Sequence, residues 1–465
     1  MHNNIIFHPD EVKQFAALSG DFNPVHVDPV QAREEMFGEP IVHGIFCVMR
    51  ALDTWVSTKD HLPLATLDVR FLAPVYLDTA YVLKSDSTAS HVHLTLLQKN
   101  NVVLRIEGHG SLTTPHPVTI PPQDALWDPY APWSGDIQTA SPTGELENQL
   151  HRETYEKLFP DLSRHLGLQI AADLLACSRL IGMRMPGEHA LFSQLKLEQR
   201  PRSNHTTTYE RIRWDTRFAL IDLEFTGHIL TGSLRAFVRP SPVPTPTMQA
   251  ARKLITPGIL AEKHILVLGG SSGLGTATVL LLAAAGAKVT FTFAHREQKA
   301  AALLEAVRQA GGEAQCLAFD IEKPDRFVNL ATPDWIYYFA TPRIFRSRHG
   351  LFDQPLFESF LTYYVYAFLR IASAFPKANL FYPSTVAIDD NIRGLTEYTA
   401  AKFAGEQVCH EIRRTQPQRK VWVERLPRTQ TSQTLAIGAP PAPAALHVMA
   451  TCLHTQFLGH DKEQQ

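Results

Sequence analysis

The sequence has few cysteines, no excess of charge of either sign and no long apolar run. Each of its five cysteines is isolated in the chain, and no two have the C-x-x-C spacing. This scatter argues against a disulfide framework or a zinc site and is typical of a reducing compartment. Lys and Arg total 44 and Asp and Glu total 46, so the net charge is −2. We therefore predict neither nucleic acid nor a membrane surface as a partner.

The longest apolar run, residues 279–287, is far shorter than the roughly 20 residues that cross a bilayer. The N-terminal stretch "MHNNIIFHPDEVKQF" carries acidic and amide side chains where a signal peptide needs an apolar segment. We therefore predict a cytoplasmic protein without a membrane-spanning segment.

Two proline-rich stretches, 113–133 and 239–247, divide the chain. Proline fixes φ and lacks an N–H group, so such stretches indicate extended linkers. Before the first stretch, a long helical pattern precedes four runs with strand alternation, and the same order returns after it. After the second stretch, strands alternate with helices, which is typical of a doubly wound parallel sheet. The predicted boundaries are a domain at 1–115, a linker at 116–149, a domain at 150–240, a linker at 241–255 and a domain at 256–465.

The loop "SGDFNPVHVDP", residues 19–29, places Asp21 and His26 five positions apart with Pro24 between them. A carboxyl and an imidazole beside one water can act as a general acid and a general base, one giving a proton and the other taking one. The alternative is that Asp21 caps a turn and His26 lies at the surface.

No metal site is predicted. His43 is expected to pack at the start of the second helix. His91 and His93 alternate along a strand, and with no third ligand nearby they indicate one strand face.

Residues 19–44 resemble the hydratase motif of the MaoC-like (R)-specific enoyl-CoA hydratases, through G-D-x-N-P-x-H and the later P-I-V-H-G. The resemblance extends over residues 1–115 and implies a hot-dog fold, in which an antiparallel sheet wraps a long helix. It implies that Asp21 and His26 are the catalytic pair, that Gly44 starts the central helix, and that the substrate is a thioester of coenzyme A or of an acyl carrier protein. Residues 150–240 lack the Asp/His loop, and we predict that they form a degenerate second hot-dog domain that completes the acyl pocket.

The segment "VLGGSSGLG", residues 267–275, lies between a predicted strand and a predicted helix, the context of a phosphate-binding glycine loop. Further along, Tyr398 and Lys402 are four residues apart on one helix face, where an ammonium favours the phenolate. Together these features resemble the short-chain dehydrogenase/reductases. The alternative for Tyr398 and Lys402 is a solvated helix face.

That resemblance implies catalytic roles for Tyr398 and Lys402, and for Thr385 or its neighbour Ser384 at the position of the catalytic serine. Two departures from the family pattern stand out: "YYFATP", 337–342, replaces N-N-A-G, and Tyr364 replaces an asparagine that helps hold a proton-relay water. We predict NADPH rather than NADH, because Arg296 follows the second strand and no acidic residue is there to bind a ribose 2′-hydroxyl. Arg296 could equally be a solvated residue of a first helical turn. The predicted cofactor site comprises Gly269, Ser271, Ser272, Gly273, Leu274, Gly275, Arg296, Asp320, Ala340, Tyr398 and Lys402.

The predicted fold is therefore α+β tandem hot-dog domains followed by an α/β Rossmann domain. The predicted function is a bifunctional acyl-thioester enzyme that reduces a 3-ketoacyl thioester and interconverts (3R)-hydroxyacyl and enoyl thioesters. Two alternatives stay open: a hydratase whose reductase-like domain only binds NADP(H), and a non-catalytic acyl-thioester and NADP(H)-binding protein. Homodimer formation also stays open.

Overall fold

The structure is a computed structural model that describes residues 3–33, 35–57, 64–88, 90–110, 123–200, 206–322, 331–344, 352–390, 392 and 394–459. The chain divides into two compact units. The first unit comprises Met1–Pro242 with Ala436–Ala439, and the second comprises Val243–Leu435 with Pro440–Gln465.

The first unit consists of one antiparallel sheet and the helices that pack on it. Its helices are α1 (Pro9–Ser19), α2 (Pro24–Val27), α3 (Pro29–Ala32), α4 (Gly44–Val56), α5 (Arg152–Leu158), α6 (Leu162–His165) and α7 (Leu168–Arg179), and α7 continues into a π-helical turn (Leu180–Arg184). Its strands are β1 (Asn3–Ile5), β2 (Thr66–Phe71), β3 (Tyr81–Ser85), β4 (His91–Gln98), β5 (Asn101–His109), β6 (Thr143–Leu146), β7 (Ala190–Gln199), β8 (Thr207–Asp215), β9 (Leu220–Thr226) and β10 (Leu230–Val238).

The strand order in this sheet is β1-β3-β4-β5-β2-β7-β10-β9-β8-β6. It reads the same from both ends, since β2 corresponds to β7, β5 to β10, β4 to β9, β3 to β8 and β1 to β6. The two halves meet where β2 pairs with β7, with Val69 opposite Leu195. In each half one long, largely buried helix, α4 or α7, packs against the strands. We call β1–β5 with α1–α4 the first half and β6–β10 with α5–α7 the second half.

The stretch predicted as a linker at 116–149 differs from the expectation in its second part. Residues 111–122 lie outside the described residues. Beyond them the backbone N–H of Trp127 donates to the carbonyl of Ala17 at 2.8 Å, and β6 pairs with β8. Ile137 and Leu146 are buried in the core. The high proline content obscured these short apolar anchors.

The second unit is built around a parallel sheet. Its helices are α8 (Met248–Arg252), α9 (Gly273–Ala284), α10 (Glu297–Gln309), α11 (Gln354–Leu361), α12 (Phe368–Ala374), α13 (Ala387–Asp390), α14 (Thr396–Thr415) and α15 (Ala445–Leu458), with a π-helical turn (Thr362–Ala367) between α11 and α12. Its strands are β11 (His264–Leu268), β12 (Lys288–Phe293), β13 (Glu313–Ala318), β14 (Trp335–Tyr338), β15 (Asn379–Thr385) and β16 (Val421–Leu426).

The strand order is β13-β12-β11-β14-β15-β16, and every pairing is parallel. The predicted doubly wound sheet is thus confirmed. From β11 the next two strands are added on one side of the sheet and β14–β16 on the other. Ligands of such folds bind beyond the carboxyl ends of the strands at the point where the strand order reverses, here between β11 and β14. Almost every residue of β11 and β14 is buried, as expected for strands covered on both faces.

Within the described part of the chain, no helix is both long enough and apolar enough to cross a membrane.

Candidate active sites

In the first unit, Asp21 lies in the turn between α1 and α2, and His26 lies on α2. Helix α1 ends at Gly20, whose φ of 74° is in the left-handed region and turns the chain toward Asp21. The side chain of Asn23 accepts a hydrogen bond from the backbone N–H of Val25, which caps α2, the helix that carries His26. One side-chain atom from each of Asp21, His26 and His43 lies within 4.8 Å of the others. The structure therefore brings the predicted catalytic pair together.

The imidazole of His26 is held in one tautomer. Its Nδ1 is 2.7 Å from the carbonyl oxygen of Ile41, a contact that requires a proton on Nδ1 and leaves Nε2 as an acceptor. Burial lowers the pKa of His26 to about 4; the bond to Ile41 opposes this shift and the positive charge of Arg239 adds to it. At neutral pH the ring is therefore uncharged, with its proton on Nδ1, and Nε2 can act as a base.

The carboxyl of Asp21 is shifted in the opposite direction. Burial raises its pKa to about 7, against the lowering effect of hydrogen bonds from the Ser178 hydroxyl and the Asn23 backbone N–H. Those bonds measure 2.7 Å to Oδ2 and 3.3 Å to Oδ1. Between these two pKa values the Asp21 carboxyl carries its proton and the His26 ring is neutral.

His43 precedes α4 and is fully buried. Its Nε2 lies 2.8 Å from the backbone oxygen of Asp21, and its ring stacks on His26 with centroids 3.9 Å apart and planes 30° apart. The contact with the Asp21 carbonyl requires a proton on Nε2 of His43 and fixes this ring at the start of α4.

A second histidine cluster lies on the sheet. His91 and His93 lie on β4, as predicted, and strand pairing adds a third histidine that the sequence did not indicate: His109 lies opposite His91 with ring centroids 4.2 Å apart. These two rings are within 5° of parallel. Among the described residues, Asp21, His26 and His43 form the only group of three potential ligands with atoms close enough to share an ion.

A cavity of about 290 Å³ opens beside Asp21 and His26. Its walls are mainly apolar and come from both halves: Phe37, Phe71 and Val75 from the first, Ile181, Phe192 and Phe237 from the second. Gly44 lies in this wall, and a Cβ there would be 2.8 Å from the ring of Phe71. Glycine at 44 thus makes room for Phe71 at the helix start, which the sequence did not indicate.

The π-helical turn after α7 and the residues that follow it, all in the second half, form hydrogen bonds with the Asp21–His26 loop. The amide nitrogen of Asn23 donates to the carbonyl oxygens of Gly182, Gly187 and Glu188 at 2.8, 3.1 and 3.1 Å. A Cβ on Gly182 would lie 2.2 Å from Oδ1 of Asp21, so only glycine admits the carboxylate there. Ser178 and Gly182 were missed by the sequence analysis.

The glycine loop of the second unit connects β11 to α9. Gly269 and Gly273 have φ values of 76° and 54°, which other residues rarely adopt. A Cβ on Gly275 would be 2.2 Å from the carbonyl oxygen of Gly269. Three glycines are therefore needed for the close turn that brings the start of α9 against the end of β11.

This turn faces a cavity of about 460 Å³. Of the predicted cofactor residues, the cavity is lined by Gly269, Ser272, Gly273, Leu274, Gly275, Arg296, Ala340, Tyr398 and Lys402. Within the described chain, Ser271 and Asp320 are not part of this lining. Ser271 is buried, and Oδ1 of Asp320 accepts the backbone N–H of Glu322 at 3.0 Å.

Tyr398 and Lys402 lie in this cavity on α14 and are largely buried. The sequence predicts that the ammonium lowers the pKa of Tyr398, but burial raises it to about 12, opposed by a hydrogen bond with Thr385. Burial also lowers the pKa of Lys402 to about 7. Its Nζ donates to the carbonyl of Pro383 at 2.6 Å and lies 4.0 Å from the centre of the Tyr364 ring. Desolvation here outweighs the attraction between the two groups.

Of the two candidates for the serine position, the structure brings Thr385 to Tyr398. Ser384 lines the cavity but donates its hydroxyl to Glu406 at 2.5 Å. Glu406 in turn forms an ion pair with Arg425 at 2.7 Å.

Tyr364 fills the space beneath Lys402. It is buried in the π-helical turn after α11, and its hydroxyl is 2.5 Å from Oγ1 of Thr341. Its ring also packs edge-on against Tyr398, with centroids 5.7 Å apart. A phenol already paired with Thr341 is poorly placed to hold a relay water.

Comparison with known proteins finds a family match in part of each unit. The MaoC like domain family matches residues 2–95, and the short chain dehydrogenase family matches residues 263–332. The chain joins a MaoC-like domain to a short-chain dehydrogenase domain. The first match contains Asp21, His26 and Gly44, whereas the second ends before Ala340, Tyr398 and Lys402. For those three residues of the short-chain dehydrogenase domain, the structure alone supplies the placement.

Two curated relatives match short stretches of the chain. The (R)-specific enoyl-CoA hydratase of Aeromonas caviae is 60% identical over 35 residues, which are 8% of this chain and 26% of that protein. Protein MaoC of Klebsiella aerogenes is 35% identical over 68 residues, 14% of this chain and 20% of that protein. The chain thus spans about a quarter or less of the length of these relatives.

Two solved structures resemble the short-chain dehydrogenase domain. A 3-oxoacyl (acyl-carrier-protein) reductase from Agrobacterium tumefaciens C58 with NADP bound has a TM-score of 0.37 at 19% identity, covering 42% of this chain and 87% of that one. A short chain dehydrogenase from Shigella flexneri 2a complexed with NADP has a TM-score of 0.39 at 19% identity, covering 45% and 96%.

Proposed function

We propose that the MaoC-like domain hydrates trans-2-enoyl thioesters and dehydrates (3R)-hydroxyacyl thioesters. The observation that carries this proposal is the pair of opposite pKa shifts at one apolar cavity, with Asp21 raised to about 7 and His26 lowered to about 4. In hydration, Nε2 of His26 takes a proton from water while the oxygen bonds to C3. The Asp21 carboxyl gives its proton to C2, and the proton on His26 then returns to Asp21.

The second half supports a double hot-dog arrangement of this domain. It repeats the helix and strand order of the first half and has no Asp/His loop, yet it supplies Ser178 and half of the cavity wall. We propose that it serves as a built-in partner of the catalytic half. The name of the Aeromonas caviae relative specifies coenzyme A, and that of an Arabidopsis thaliana relative, 33% identical over 75 residues, specifies an acyl carrier protein. We propose a thioester of one of these carriers as substrate.

For the second domain we propose NADPH-dependent reduction of the corresponding 3-ketoacyl thioester. The residues fit the cofactor: the glycine loop presents the start of α9 to the cavity, and Arg296 lines it as a 2′-phosphate site requires. When bound, NADPH would supply the hydride. The Tyr398 hydroxyl would give its proton to the carbonyl oxygen, Thr385 would hold that oxygen, and Lys402 would bind the nicotinamide ribose.

The two activities would share the (3R)-hydroxyacyl thioester, and tethering raises the effective concentration of a shared intermediate. The second candidate function is hydration alone, with the other domain binding NADP(H) without turnover. The contact of Tyr364 with Thr341 and the position of its ring beneath Lys402 favour this second candidate.

The test is to assay purified protein with crotonyl and acetoacetyl thioesters of both carriers, following enoyl absorbance and NADPH oxidation separately. Asp21→Asn and His26→Ala should each lower hydration by about a hundredfold without loss of fold. Near-normal hydration in either variant, or a (3S) product, would contradict the proposal. Binding of enoyl thioester without turnover would instead show a non-catalytic protein.

A further inference from the structure

A buried ion pair lies next to the Asp21–His26 loop. Nη1 of Arg239, the residue after β10, is 2.5 Å from Oε2 of Glu35, which follows α3. The two side chains are 1% and 2% exposed. Arg239 also donates from Nε to the carbonyl of Ala190 at 3.1 Å and from Nη2 to the carbonyl of Glu188 at 2.5 Å. The guanidinium thus joins Glu35 of the first half to the backbone of the second.

The carbonyl of Glu188 connects this pair to the catalytic loop. The same oxygen accepts a hydrogen bond from the Asn23 side chain at 3.1 Å, and Asn23 caps the helix that carries His26. Gln31, on α3, donates to the Glu188 carboxylate at 2.9 Å. The contacts run without a gap from Glu35 through Arg239 and Glu188 to Asn23.

Stability alone does not account for such a pair. Taking two charges out of water is costly, and apolar side chains of similar volume are often equally or more stabilising. Removing one partner leaves the other charge buried and uncompensated. Burial is the main cause of the lowered pKa of His26; the bond to Ile41 opposes it, and the positive charge of Arg239 adds to it, so Arg239 acts on this imidazole. Two further titratable groups of the described residues, Asp21 and His43, lie beside His26.

We propose that the Glu35–Arg239 ion pair positions the Asp21–His26 loop for hydration. Arg239 fixes the carbonyl of Glu188, one of the three backbone acceptors of Asn23, and Glu35 balances the charge of Arg239. Both are positioning residues, since neither lines the cavity. The inference rests on the hydratase activity proposed above.

The test compares Glu35→Gln, Arg239→Met and the double variant with wild type and with Arg235→Met. The control variant, Arg235→Met, removes the more exposed ion pair that Arg235 on β10 forms with Asp222. We expect Arg239→Met to lower kcat by about ten- to a hundredfold. Without Arg239 the carbonyl of Glu188, which accepts a hydrogen bond from Asn23, is no longer fixed, and the catalytic loop is less well positioned. In Arg239→Met the acid limb of the kcat/KM profile should move to higher pH, because the Glu35 carboxylate that remains favours protonated His26. Glu35→Gln should move that limb to lower pH.

The double variant separates the two effects. It should fold with an unchanged or higher melting temperature and keep the loss in kcat, while its acid limb returns toward that of wild type. A merely structural role would lower activity without opposite shifts of the limb, and full kcat in all three folded variants would overturn the proposal. NMR titration of ¹⁵N-labelled His26 measures the same opposite shifts without turnover. An inactive wild type would therefore contradict the proposed function, whereas unmoved His26 titrations would contradict this inference.

Discussion

Ser178 on α7 donates a hydrogen bond of 2.7 Å to Oδ2 of Asp21, although the two residues come from different halves of the first unit. Both groups are buried, so the bond is not weakened by competing water. The hydroxyl stabilises the carboxylate form and partly offsets the desolvation that raises the pKa of Asp21. The half without a catalytic loop thereby influences the protonation of the half that has one.

Ser178→Ala is expected to raise the pKa of Asp21 above its value of about 7, because the carboxylate loses a donor. The basic limb of the hydration profile should move to higher pH, and kcat should fall by about tenfold because the carboxyl is less well oriented. Profiles of kcat/KM from pH 4 to 10 check this. Ser233→Ala on the exposed side of β10 is the control, and an unmoved basic limb would refute the role of the hydroxyl.

The wild-type profile should itself be bell-shaped. The dyad needs one acid and one base, so its active form has a protonated Asp21 carboxyl and a neutral His26 ring. Below the lower pKa, about 4, His26 gains a second proton and the base is lost; above the upper pKa, about 7, Asp21 loses its proton and the acid is lost. The two apparent values belong to the pair. Hydration that keeps rising beyond pH 8 would be inconsistent with a protonated Asp21.

Much of this could be predicted from local pattern. Asp21, His26 and Gly44 lie in one continuous motif, and the glycine loop and the Tyr398–Lys402 spacing are set by single turns and single helices. Ser178, Gly182 and Arg239 could not be found in this way, because their roles depend on how α7 and β10 pack against a loop more than 150 residues earlier. The only sequence signal for them was the repeated order of helix and strands.

The pKa values show a second limit of sequence reasoning. The four-residue spacing predicted that Lys402 and Tyr398 lie close together, and both line one cavity. The same spacing predicted a lowered pKa for Tyr398, whereas burial raises that pKa. The choice between Ser384 and Thr385 also needed the structure, because Glu406 on α14 takes the hydroxyl of Ser384.

Gly273→Val is expected to abolish NADPH binding and leave hydration unchanged. Apart from Thr431, at 3.4 Å or more, the space around a Cβ on Gly273 is open, so the new side chain would occupy the cofactor cavity. Its φ of 54° also strains any substitution, and Gly311→Val is the matched control, with a φ of 76° and no atom within 4 Å. Fluorescence titration with NADPH checks this. Equal losses of affinity in both variants would assign the effect to backbone strain.

Arg296→Ala is expected to weaken NADPH binding more than NADH binding. The guanidinium lines the cavity at the start of α10, where a 2′-phosphate would lie, and only NADPH carries that group. Parallel titrations with the two cofactors give the ratio of affinities. Arg308→Ala, on the same helix, is the control. A uniform loss for both cofactors would mean that Arg296 supports the loop rather than reading the phosphate.

The last prediction concerns turnover in the short-chain dehydrogenase domain. Tyr398→Phe should remove NADPH-dependent reduction of acetoacetyl thioesters and keep NADPH binding, because the phenol acts on the substrate carbonyl. If wild type binds NADPH without oxidising it, Tyr364 is the residue to change, since its ring fills the space under Lys402. Tyr364→Asn should then restore oxidation at a cost of about 3 kcal/mol in stability from the cavity it leaves. Tyr364→Phe keeps the ring and loses only the bond to Thr341, so it should restore nothing. Equal turnover in the Asn and Phe variants would show that the hydroxyl, and not the ring, had blocked the reaction.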